Sequence, residues 1–138
     1  MSGRSRAGVV EEGDGAPAAD VRDPRLISQE FARALLSRDH AAAARLLSRG
    51  ACILTADGTE AVGRAEAAGV LAQITASDTE LEVLLGRTVA CGAHALATQF
   101  WCRRSSSSAG GFEDSSKAQL VLAREEDGWA IVIVSPWG

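Results

Sequence analysis

The sequence predicts an α+β domain with its helices packed on one face of an antiparallel sheet, and three observations predict it. Apolar residues recur at helical spacing early in the chain, whereas the later half alternates polar and apolar residues. The strand-like runs follow one another through short connections, as antiparallel neighbours do. Helices first and strands later is the order expected of α+β architecture. A chain of 138 residues, 46% of them hydrophobic, is enough for one domain with a real core.

Residues 1–22 lack periodicity and read as a disordered tail, leaving 23–138 as the domain. Arg4 and Arg6 of that tail read as solvated. Order starts at Asp23-Pro24, where Asp23 suits an N-cap and Pro24 the first helical position. Ile27, Phe31, Ala34 and Leu35 then form one apolar stripe ending near Ser37. Asp39 caps a second helix with Ala42, Ala43, Leu46 and Leu47 on its apolar side, and Gly50 is expected to stop it. Ala51 to Ala56 reads as a short strand, and Asp57-Gly58 as a turn. Gly63-Arg64-Ala65-Glu66 opens a third helix that buries Leu71 and Ile74, with Glu66 complementing the helix dipole. Four strands follow, over 80–90, 94–104, 117–124 and 129–135. Ser105 to Ser116 is expected as a hairpin loop.

Composition excludes several functions. The net charge is −4, so no basic surface is available for a nucleic-acid backbone. No apolar run reaches the roughly 18 residues that span a bilayer. The N-terminus lacks a secretion-signal core, so a soluble cytoplasmic protein is expected, with no membrane partner. Cys52, Cys91 and Cys102 form no CxxC and are odd in number, which reads as small buried hydrophobes and not as a disulfide framework. Histidines and acids show no metal-ligand spacing, and no glycine-rich phosphate loop follows a strand, so neither metal nor cofactor is expected.

The order and spacing of these signals resemble the nuclear transport factor 2-like superfamily, which includes SnoaL-like polyketide cyclases and ketosteroid isomerases. The features that carry the resemblance are Asp39 opening the second helix and Ala51-Cys52-Ile53-Leu54 leading into Asp57-Gly58. Gly63-Arg64-Ala65-Glu66 and the Asp127-Gly128-Trp129-Ala130-Ile131 strand opening complete it. The resemblance covers roughly residues 24–137. It implies a cone-shaped, curved sheet around three N-terminal helices, with an apolar pocket at one end and a homodimer through the outer sheet face.

It also implies where proton-handling groups belong. In the isomerases one carboxylate moves a proton, while a tyrosine and a protonated carboxylic acid stabilise the oxyanion. Counted from Asp39, the tyrosine position falls on Phe31 and the base position on Thr55. Counted back from Gly128, the second acid falls near Leu120. Phe31 and Leu120 cannot donate, Thr55 does not ionise usefully, and the chain has no tyrosine. Isomerase chemistry of that kind is not expected.

Strand alternation places Gln99 with Trp101, and Trp129 with Ile131 and Ile133. The resemblance turns these rows toward the pocket, with Ala118, Leu120 and Leu122 opposite. The implied lining is Phe31, Leu35, Thr55, Gln99, Trp101, Leu120, Ile131 and Ile133, suited to an apolar small molecule. Read without the resemblance, Trp101 and Trp129 fill the core and Gln99 bonds to backbone. Asp57 is the candidate catalytic carboxylate, although its Gly58 neighbour favours a turn role. His94 is the candidate titrating group, and His40 reads as solvated. The serine run Ser105-Ser106-Ser107-Ser108 has no base in view. The expected function is therefore small-molecule binding. The alternative is a biosynthetic cyclase, isomerase or dehydratase that uses other pocket residues.

Overall fold

A computed structural model describes residues 23–76, 79–105 and 112–137. The expected tail at 1–22 lies outside the described residues. Helix α1 spans Pro24–Leu36; the Asp23 carboxylate accepts from the Arg25 N–H at 2.9 Å, and Pro24 sits in the first turn. Its buried side contains Ile27, Phe31, Ala34 and Leu35, the stripe read from the sequence. Helix α2 is short, His40–Arg45, capped by Asp39 through the Ala42 N–H at 3.0 Å.

The second helix does not run to Gly50. Strand β1 begins at Leu47 and ends at Leu54, so Gly50 lies within a strand. Leu47 is fully buried, and the Leu46 carbonyl accepts from Ile131 N–H at 2.9 Å. That ladder contact ends the helix early. A short strand β2, Glu60–Val62, pairs back on β1 between the expected turn and helix, where no strand was expected. Helix α3 spans Arg64–Ile74 and buries Ala67, Leu71 and Ile74. Four strands complete the fold: β3 Thr79–Cys91, β4 His94–Ser105, β5 Phe112–Glu125 and β6 Gly128–Ser135. Strand β5 thus begins five residues before the expected Lys117. Of the expected loop, residues 106–111 lie outside the described residues.

The sheet is curved, six-stranded and ordered β2-β1-β6-β5-β4-β3. Every neighbouring pair is antiparallel except β1 with β6, which run parallel. Wholly antiparallel pairing, as read from the sequence, fails at this one ladder, because the chain passes through β2 and α3 before its end returns beside β1. Helix α1 lies over β3, β4 and β6, and α3 over β1 and β2. The core between them holds Phe31, Leu35, Ile53, Leu71, Trp101, Leu120 and Ile131.

Two positions explain the curvature. The β3–β4 register slips between Leu85 and Thr88, a bulge that increases local twist. Gly86 sits inside it, where a Cβ would stand 2.9 Å from the Thr98 carbonyl oxygen. Only glycine admits that approach.

Candidate functional site

Strand β4 alternates cleanly. Ala95, Ala97, Gln99, Trp101 and Arg103 are buried on the helix-facing side, whereas Leu96, Phe100 and Arg104 face outward. Across the ladder, Ala118 lies opposite Gln99 and Leu120 opposite Ala97. Phe31 and Leu35 reach the same interior from α1. Phe31, Leu35, Gln99, Trp101, Leu120 and Ile131 are therefore brought together, each at most 1% exposed.

Ile133 does not join them. A register shift between Val121 and Leu122 inserts one residue into β6, so Ile131 and Val134 face inward while Ile133 faces out, 37% exposed. A bulge inverts the period-two parity beyond it.

Three buried polar side chains here, Ser28, Gln99 and Trp101, bond to one another. The Gln99 amide Nε2 donates to the Ser28 carbonyl at 3.0 Å and to the Ser28 hydroxyl at 2.8 Å. The Trp101 indole Nε1 donates to Gln99 Oε1 at 2.9 Å. Indole nitrogen is donor-only, so the amide oxygen must face it, and this fixes the orientation of the amide. Gln99 thus joins α1 to Trp101 and bonds to backbone as well as side chain.

Thr55 and Asp57 lie outside this interior. The Thr55 hydroxyl donates to the Asp57 carboxylate, which also accepts from the Thr59 N–H at 3.1 Å and the Thr59 hydroxyl at 2.8 Å. These bonds, led by the Thr55 hydroxyl, hold the Asp57 carboxyl down to about 2. A carboxylate that weakly basic and exposed stabilises a turn, which Gly58 completes at φ 88°. His94 is exposed at the start of β4, paired with Cys91 and Ala123. The strand registers put it at the opposite end of the sheet from Asp57, so the two catalytic candidates do not meet.

Two clusters escaped the sequence reading. His40 is half-buried, not solvated. The Thr75 hydroxyl donates to the Leu71 carbonyl at 2.9 Å, so His40 Nε2 must donate the 2.7 Å bond to Thr75 Oγ1. Arg38, in left-handed backbone at φ 58°, donates to the Thr75 and Ala76 carbonyls at 2.5 and 2.9 Å. A cation there satisfies the orphan carbonyls at the end of α3 and complements its dipole.

The second cluster is Arg103, Asp114 and Trp137. Arg103 is only 8% exposed, pairs through Nη2 with Asp114, and lies 4.2 Å from the Trp137 ring centroid. Trp137 is in turn anchored by its indole N–H to the Leu54 carbonyl at 3.1 Å. The alternation that buries Gln99 and Trp101 carries on to Arg103, so this signal was present in the sequence. Asp114 lay within the expected loop, and the approach of Trp137 has no local signature.

Cys91 is exposed, Cys52 and Cys102 are half-buried, and none of the three forms a disulfide. They are therefore less enclosed than expected, Cys91 because it ends the β3–β4 hairpin. Among the described residues no three His, Cys, Asp or Glu side chains cluster as metal ligands, and no helix is long and apolar enough to cross a membrane.

Solved structures share this architecture. A ketosteroid isomerase-like protein from Erwinia carotovora atroseptica superposes with a TM-score of 0.68 at 12% identity, covering 88% of this chain and 95% of that one. An NTF2-like protein with a cystatin-like fold from Novosphingobium aromaticivorans gives 0.65 at 18% identity, covering 85% and 80%. This chain has the nuclear transport factor 2-like fold. A Mycobacterium tuberculosis protein solved in complex with estradiol-17β-hemisuccinate gives 0.63 at 16% identity, covering 83% and 92%. No protein-family model matches the sequence, and no curated protein does.

Proposed function

We propose that this NTF2-like chain is a SnoaL-like, non-catalytic protein that binds an apolar small molecule, steroid- or polyketide-like, between the helices and the sheet. One observation carries the reading. Among the described residues the buried polar side chains are Ser28, Thr75, Gln99 and Arg103, none of them a carboxylate or histidine. An interior without an ionisable base has no group to abstract a proton. The steroid ester held by the similarly folded mycobacterial protein supports the ligand class.

The outer sheet face supports a homodimer. Leu84 (69% exposed), Phe100 (46%) and Ile133 lie on it, with Leu84 and Lys117 paired to Phe100 on either side and Glu82 two residues before Leu84. A two-fold partner would cover the apolar patch and oppose Glu82 to its copy's Lys117. Phe100→Glu should give monomers by light scattering where the unaltered chain gives dimers.

The binding reading is tested by titrating the protein with estradiol-17β-hemisuccinate while following tryptophan fluorescence and the chemical state of the ligand. Saturable quenching with unchanged ligand is expected. Conversion to a product would replace this reading with the enzymatic alternative, and no saturable response would overturn it.

A further inference from the structure

We infer that Arg103 is an anion-recognition group, and that the molecule bound is amphipathic: an apolar body carrying a carboxylate or similar planar oxyanion. This rests on the binding reading above and narrows its ligand class. Arg103 stands two residues beyond Trp101 on the inward face of β4, with its side chain 10% exposed. A guanidinium has five N–H donors, and among the described residues only Nη2 has a hydrogen-bond partner, Asp114. Trp137 covers a face of the guanidinium and accepts no N–H.

Among the described residues nothing pairs with Nε or Nη1, and a buried guanidinium so placed is costly to hold, because buried polar groups are ordinarily saturated with partners. Each carboxylate fork of a guanidinium takes one Nη2 hydrogen; Asp114 occupies one of the two, and the other can join Nε or Nη1 to hold a carboxylate through two parallel bonds. Asp114 is the half-exposed member of its pair, 44% exposed, and so competes only partly with an incoming anion.

The surroundings suit the rest of such a molecule. Leu81, which pairs with Arg103 across the ladder, Val83, which pairs with Trp101, and Trp137 are apolar and only partly buried against the core. A charged head on Arg103 would therefore leave an apolar body beside incompletely covered hydrophobic surface. Gln99, with both amide donors already engaged, adds no competing demand.

The test compares estradiol-17β-hemisuccinate with estradiol, which keeps the apolar body and lacks the carboxylate. The full chain should bind the hemisuccinate about tenfold or more tightly, the range of a charge-assisted bond pair. Arg103→Lys keeps the charge but loses the planar fork, and should remove most of that preference. Asp114→Asn, which keeps the side-chain volume and removes the competing charge, should instead tighten hemisuccinate binding severalfold. Equal affinity for the two compounds, or a preference unchanged in Arg103→Lys, overturns this inference and leaves the binding reading intact. Binding of neither compound overturns both.

Discussion

Replacing Gln99 with Leu tests the interior polar network by a change that hardly alters volume. In the folded protein the Trp101 indole N–H has the Gln99 carbonyl oxygen as its acceptor, and Trp101 is 1% exposed. Leucine leaves that donor buried and unpaired, a cost of about 1–3 kcal/mol. The Ser28 carbonyl keeps its helical bond, and the Ser28 hydroxyl can turn toward its own helix, so they add little. The expected loss is about 2 kcal/mol, dominated by the orphaned indole. For a domain of this size that lowers Tm by about 6–10 °C. Thermal or urea unfolding followed by circular dichroism measures it. Combining Gln99→Leu with Ser28→Ala should cost less than the two single changes summed, by about 1 kcal/mol, because the contact is counted in both. A neutral or stabilising Gln99→Leu would show that Gln99 is not the acceptor of Trp101, and the argument for a self-satisfied interior would fail.

Further outcomes follow from three other sites. Arg38→Ala should destabilise by about 1–2 kcal/mol in urea unfolding, by removing the guanidinium from the α3 carbonyls. Arg38→Gly should lose less, since glycine relieves the positive φ. Asp57 has a folded-state value near 2 against an ordinary 3.8. Its hydrogen bonds therefore add stability that is complete above the ordinary value and lost as pH falls toward 2. An Asp57→Asn variant should show a flatter stability profile across that window in acid titration. Gly86→Ala should cost about 1–3 kcal/mol, because the added methyl meets the Thr98 backbone oxygen, which cannot swing aside.

Local chemistry wrote much of this fold into the sequence. Asp23, Pro24 and Asp39 announce the first two helices because capping depends on immediate neighbours. Asp57-Gly58 announces its turn for the same reason, and the α1 stripe and β4 alternation gave the core positions Phe31, Leu35, Gln99 and Trp101. What escaped depends on partners distant in sequence. Gly50 looked like a helix stop, yet the β6 ladder claims Leu46 and Leu47 and ends α2 first. Ile133 followed Ile131 by simple parity until the β6 register shift reversed it. The Thr75 latch joins residues 35 and 37 positions apart, and Trp137 reaches Leu54 across 83. No periodicity encodes such contacts.

Native mass spectrometry of the full chain with added estradiol-17β-hemisuccinate, followed by chemical analysis of the released ligand, tests most directly whether the chain binds such a molecule without reacting. One intact steroid ester per chain, recovered chemically unchanged, is the result expected when the fully buried polar side chains among the described residues include no carboxylate or imidazole. A chain that stays bare, or a steroid that leaves altered, would contradict it.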